Sequence, residues 1–175
     1  MHRSTGRTNR IARLTSVIAT SLLASVALFH APPAKASLQG ATVTITIYCC
    51  TAPPGPADEL ISNTVSGTVP VSFPKGSLKG TKGNLYELPV SVDVTADQVT
   101  LTSEESTQAI SGSFNGYVYT FSGAPAITKV TVDPLTHSAF VPTNISFTST
   151  SIDVNVSGLH YPSGAKQILD ITTAA

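Results

Sequence analysis

Apolar and polar residues alternate with a period of two along most of the chain beyond residue 41. In "TVTITIYC" Val43, Ile45, Ile47 and Cys49 fall on one side of an extended strand, while Thr42, Thr44, Thr46 and Tyr48 fall on the other. The same parity groups Val65, Val69, Val71 and Phe73 in "NTVSGTVPVSF", Leu88, Val90, Val92 and Val94 in "YELPVSVDVT", and Val99 with Leu101 in "QVTLT". Successive side chains of a strand point to opposite faces, and β-branched residues suit the pleat, so this pattern predicts sheets that are dry on one face and wet on the other. The second half continues with "GSFNGYVYTFSG", "AITKVTVDP", "NISFTST", "SIDVNVSG" and "QILDIT", punctuated by Gly, Pro, Asn and Ser. Pro70 and Pro89 fall inside strand patterns and predict sheet edges or bulges, because proline has no N–H to give to a ladder. Inward parity shifts by one between Ile127 and Val130, which predicts a bulge there. The one helix-like candidate of the second segment is short, Pro56 to Asn63.

About nine or ten strands with no crossover helix predict an all-β chain, an antiparallel β-sandwich, with a jelly roll or a barrel as the alternatives. A single domain over residues 37–175 accommodates them, since 139 residues can bury a substantial core.

The pattern before residue 37 is different. Arg3, Arg7, Arg10 and Arg13 precede a charge-free apolar run from Leu14 to Phe29, and Ala34-Lys35-Ala36 follows with the small-x-small form that signal peptidases cut. Sixteen residues fall short of the roughly 20 that a membrane span needs. Residues 1–36 therefore read as a signal-peptide helix cleaved between Ala36 and Ser37, and the absence of paired arginines favours the general secretory route. An uncleaved anchor is the alternative. Cleavage changes the charge balance, because the presequence holds five of the ten basic residues and none of the acidic ones. The mature chain keeps five lysines against ten carboxylates, a net charge of −5, and has no arginine. It offers no basic face to displace counterions from phosphate, so no nucleic-acid partner is expected. Lys75, Lys79 and Lys82 cluster in "FPKGSLKGTKGN", which lacks the phosphate-loop spacing and reads as a solvated turn.

Cys49 and Cys50 are the chain's only cysteines, side by side where a strand runs into "TAPPGP". On a regular strand Cys49 enters the core and Cys50 faces out. A bond between them requires a distorted peptide, since adjacent Cα atoms are about 3.8 Å apart and disulfides prefer about 4.4 Å or more. A vicinal disulfide, a bridge to another molecule, and free thiols or a metal site all remain open. Zinc is disfavoured, because the mature chain's histidines, His137 and His160, show no ligand spacing to the pair.

Catalytic signatures are missing from the sequence. There is no G-x-S-x-G, and consecutive Glu104 and Glu105 point opposite ways on a strand, which does not suit a paired acid and base. Asp93, Asp97, Asp133 and Asp153 lack a calcium-loop pattern, so no metal and no cofactor is expected. Tyr117, Tyr119 and Phe121 share one face of "NGYVYTF", either as a platform for a sugar or as core. Asn144-Ile145-Ser146 and Asn155-Val156-Ser157 match the N-glycosylation sequon.

Taken in order, "ATVTITIYCCTAPP", "FNGYVYTFSGAPAITKVTVDP", "ISFTSTSIDVNVSGL" and "QILDIT" give the chain a resemblance to small secreted bacterial β-rich proteins of the PEP-CTERM-associated type. The resemblance implies an exported protein of the bacterial surface or extracellular matrix and transfers no catalytic residue. Such chains end in a Pro-Glu-Pro motif, a membrane segment and a basic tail, whereas this one stops at "DITTAA". The expectation is therefore a secreted or periplasmic protein with no membrane contact after cleavage; a truncated gene model would restore the anchor. Together these readings predict a non-enzymatic envelope or matrix protein that acts through its surface on cell-surface polymers, matrix polymers or itself. The alternatives are a carbohydrate-binding module and, third, a small secreted hydrolase.

Overall fold

The computed structural model describes residues 37–49, 65–80, 86–137, 139, 141 and 144–175. The signal-peptide helix expected over residues 1–36, with Ala36 at its cleavage site, lies outside them, as do Cys50 and the helix candidate Pro56 to Asn63. Among the described residues there is no α-helix, and none long and apolar enough to cross a membrane.

The strands in chain order are β1 (Thr42–Cys49), β2 (Val65–Thr68), β3 (Val71–Phe73), β4 (Lys79–Gly80), β5 (Tyr86–Glu87), β6 (Val90–Val94), β7 (Gln98–Ser103), β8 (Thr107–Gln108), β9 (Asn115–Ser122), β10 (Ile127–Val132), β11 (Asn144–Phe147), β12 (Ser151–Asn155), β13 (His160–Tyr161) and β14 (Lys166–Thr173). Ten of them form two five-stranded antiparallel sheets, one ordered β11-β12-β9-β1-β2 and the other β10-β14-β7-β6-β3. Two small ribbons, β13-β8 and β4-β5, complete the described strands.

Period-two sequence becomes a two-sided sheet as the parity requires. Val43, Ile45 and Ile47 of β1, Tyr117, Tyr119 and Phe121 of β9, and Ile152 and Val154 of β12 are buried in the first sheet. Val90, Val92 and Val94 of β6, Val99 and Leu101 of β7, and Leu169 and Ile171 of β14 are buried in the second. All of these belong to one hydrophobic cluster. Burying each such aliphatic side chain contributes about 1.5–3 kcal/mol, which makes this cluster the main stabilising element.

Two of the expected irregularities, the bulge and Pro70, fall where the sequence places them. The register between β10 and β14 shifts between Ile127 and Lys129, inside the segment where inward parity breaks. Pro70 lies between β2 and β3, the edge strands of the two sheets, so the missing N–H interrupts no central ladder. Pro89 departs from the edge or bulge expected of it: it ends the pattern between β5 and β6 and immediately precedes β6, an inner strand paired with β7 and β3 in unbroken register, and its carbonyl accepts the Glu104 N–H at 2.7 Å. The chain enters the domain at once: Leu38 is fully buried, its N–H donating to the Ala96 carbonyl at 2.7 Å while its own carbonyl accepts from Ala41 at 2.9 Å.

Candidate functional site

Three surfaces could carry function: a cavity beside the core, the outer face of the first sheet, and the polar groups on the β13-β8 ribbon.

The cavity has a volume of about 630 Å³. Its walls come from distant segments: the end of β1, the β5–β6 link, β8 and the residues after it, the start of β9, and the residues after β12. Ile47, Val90, Ala109 and Val156 make it apolar, and Tyr117 and Tyr161 supply aromatic walls. The start of β9 can approach β12 so closely because residue 116 is glycine. A Cβ there would sit 1.9 Å from the Val154 carbonyl oxygen. Asn155 fixes the same corner: its side-chain oxygen accepts from the Asn115 N–H at 3.2 Å and the Ser157 N–H at 3.1 Å, and its amide donates to the Ser113 carbonyl at 3.0 Å. We expect Asn155→Ala to lower unfolding free energy by about 2 kcal/mol in urea denaturation, because partly buried backbone groups lose their partner.

Of the sequence-derived aromatic stripe, Tyr117 is 4%, Tyr119 0% and Phe121 2% exposed. The stripe therefore faces the core, and of the three Tyr117 lines the cavity. The Tyr117 and Tyr119 rings stack with centroids 6.4 Å apart. The Tyr161 hydroxyl donates to the Val156 carbonyl at 3.3 Å, whereas the Tyr119 hydroxyl is buried with no hydrogen-bond partner among the described residues. Burial, with smaller contributions from the neighbouring phenols, raises the pKa of Tyr119 and Tyr161 above the ordinary phenol value. Both remain protonated donors at neutral pH. Cys49, at the cavity wall, is disulfide-bonded.

The outer face of the first sheet is built by the other parity. Ser66, Thr44, Thr120 and Ser151 lie in register across β2, β1, β9 and β12, and Thr68, Thr42 and Ser122 form the adjacent row. A third row runs Thr46, Val118, Asp153 and Ser146. Asp153 is partly buried there, and desolvation raises its pKa above the ordinary 3.8. The folded protein thus holds this proton more tightly than the unfolded chain, and the ionised carboxylate opposes folding as pH rises through the raised value. Asp153→Asn should raise the thermal midpoint at pH 7 and leave it unchanged below about pH 3, where both states hold the proton; scanning calorimetry at the two pH values checks it.

On the ribbon, Ser106 Oγ and His160 Nε2 lie 3.3 Å apart, both exposed. Nucleophilic catalysis also needs a group to orient the histidine, and among the described residues no carboxylate is hydrogen-bonded to His160. His137 Nδ1 accepts from the Ala139 N–H at 3.2 Å, far along the chain from this pair. The lysine loop is held in ion pairs, Lys75 with Glu105 and Lys79 with Glu87 at 3.4 Å. The hydrogen bond to Glu105 raises the Lys75 pKa. Glu104 accepts instead from Ser91 Oγ, so the two consecutive glutamates serve different partners. Among the described residues no three of His, Cys, Asp and Glu cluster as metal ligands.

No protein family, curated protein or solved structure matches the chain.

Proposed function

We propose that the protein is an exported β-sandwich that works without catalysis, through contact of its first sheet's outer face with uncharged polymers of the cell surface or matrix. The observation that carries this reading is the hydroxyl ladder Ser66, Thr44, Thr120 and Ser151, with Thr68, Thr42 and Ser122 beside it. These residues are partly or fully exposed, and neither row contains a charge. A twisted sheet holds such hydroxyls at a strand spacing of about 4.8 Å, where each can exchange its water for a hydroxyl or ether oxygen of a neutral chain. The net charge of −5 on the mature domain opposes anionic polymers. Two five-stranded sheets that share one core cluster support the sandwich.

Export rests on the arginines, apolar run and cleavage tripeptide of residues 1–36. The burial of Leu38 supports it, since the core then begins one residue beyond the cut. Cys50, the chain's other cysteine, is the partner this reading assigns to Cys49, within the oxidising compartment that export implies. The test is a sedimentation assay of the secreted protein with insoluble neutral polysaccharide and with washed cell envelopes. Retention that persists at high salt is expected; retention abolished by salt, or none, would refute the reading.

A further inference from the structure

The first main sheet ends in β11 and β2, the second in β10 and β3. An edge strand offers unpaired backbone N–H and C=O groups to any other strand, and proteins blunt that offer with short strands, proline, glycine, charge or bulges. Three of these four edges are blunted. β3 is three residues long and stands between Pro70 and Pro74, β2 carries Gly67, and β10 has the exposed Lys129 at its register shift. β11 is different: Asn144–Phe147 contains no proline, glycine or charged residue, and its register with β12 runs unbroken. Hydrogen-bonded and non-hydrogen-bonded pairs alternate along an antiparallel ladder, which fixes the groups that β11 turns outward. The Thr148 N–H donates to the Ser151 carbonyl at 2.9 Å, so Thr148 and Ser151 form a hydrogen-bonded pair, Phe147 and Ile152 do not, and Ser146 and Asp153 do. The far side of β12 agrees, since the Phe121 N–H donates to the Thr150 carbonyl at 2.8 Å, a register that turns the Ile152 backbone toward β9. The N–H and C=O groups of Ile145 and Phe147 therefore point away from β12, and no described strand pairs with them. Their side chains lie on the core side, opposite Val154 and Ile152; Ile145 packs on the core, whereas Phe147 is 43% exposed.

We infer that β11 pairs antiparallel with β11 of a second copy of this chain, joining the two first sheets edge to edge into one continuous sheet. The spacing of the outward groups selects a second copy as the partner, because two such residues with one between them are self-complementary. With Ser146 on a two-fold axis, Ile145 of one copy exchanges its N–H and C=O bonds with Phe147 of the other, and the reverse pair repeats the exchange. Each Phe147 ring then lies cross-strand from the other copy's Ile145, an aromatic and β-branched pair that covers apolar surface the single copy leaves in water. The two Ser146 hydroxyls face each other on the outer side. β11 brings no charge to the join, so the net charge of −5 on each mature chain does not oppose itself there. The two-fold pairing uses up both edges and stops at a dimer. It uses the sheet edge and not the hydroxyl rows, so it stands apart from polymer binding.

Sedimentation velocity of the secreted protein, over a series from about 1 μM to about 1 mM, reads the association. The sedimentation coefficient is expected to rise from that of a monomer and to approach that of a dimer without passing it. Phe147→Pro removes an outward N–H and the exposed ring while the β11-β12 hydrogen bonds stay, and should weaken dimerisation at least about tenfold. Ser146→Glu leaves the backbone untouched and sets like charges face to face at the axis, so it should weaken dimerisation by at least as much. An equimolar mixture of Ser146→Glu with Ser146→Lys places opposite charges there and should associate more tightly than either variant alone. Thermal melts establish that each variant is folded, and the Ser146 variants decide the matter if Phe147→Pro is not. A sedimentation coefficient that stays constant over the whole series would overturn the proposal. So would growth beyond a dimer, a dimer that Ser146→Glu leaves unweakened, or a mixture that associates no better than its parts, each of which would remove the contact from this edge.

Discussion

Replacing Gly116 by alanine will destabilise the domain by about 3 kcal/mol or more, the upper range for forcing atoms into a packed interior. The added methyl meets backbone: 1.9 Å to the Val154 oxygen, 2.9 Å to the Val154 carbon and 3.2 Å to Asn155 Cα. A side chain could rotate away from such a clash, but the β9-β12 ladder cannot without giving up its register, in which Gly116 pairs with Asn155 and Tyr117 with Val154. Strand separation there would also open the Asn115–Asn155 corner and move Tyr117. Urea denaturation gives the measurement. A loss below about 0.5 kcal/mol, the ordinary range for a surface substitution, would mean that the two strands do not approach as described.

The second large effect is expected at Tyr119. Truncation to alanine removes a ring that is fully buried between Tyr117 and the facing side chains of the core, and should cost about 3–5 kcal/mol. Phenylalanine at the same position keeps the ring and discards the unpartnered hydroxyl, so its stability should equal or exceed that of the native protein by about 1 kcal/mol. The contrast between the two variants separates packing from polarity at one position. A Tyr119→Phe variant as unstable as Tyr119→Ala would show that the hydroxyl has a strong partner in the folded protein.

These two positions also show what a linear sequence does and does not disclose. Tyr117, Tyr119 and Phe121 could be placed on one face by counting in twos, and the same count put Val43, Ile45, Ile47 and Cys49 inside and the Thr residues of β1 outside. The bulge near Lys129 was legible because a parity break is local. The roles of Gly116 and Asn155 were not, because each depends on a partner strand that begins some thirty residues away from β9, and a glycine in "FNGYV" reads as a turn signal until its neighbour is known. The cavity was hidden for the same reason: five separated segments, none with a signature, meet around it. The pairing of Ser106 with His160 arises from the two-residue ribbon β13-β8, too short for periodicity to reveal. Strand order was equally silent in the sequence. Alternation gives the face of each strand and leaves its neighbours to long-range packing.

The hydroxyl face can be tested without disturbing the core. Thr44 and Thr120 are cross-strand partners on the outside of the first sheet, so Thr44→Lys combined with Thr120→Glu puts opposite charges side by side and leaves the net charge unchanged. The pair should preserve the thermal midpoint while giving the face two hydrated charges that a neutral polymer cannot match. The decisive measurement is the sedimentation isotherm of this double variant against that of the native protein on the same insoluble neutral polysaccharide. The account predicts at least about a tenfold loss of affinity, 1.4 kcal/mol, in a variant that melts as the native protein does. Unchanged affinity in a variant with native melting would show that this face is not the one that binds.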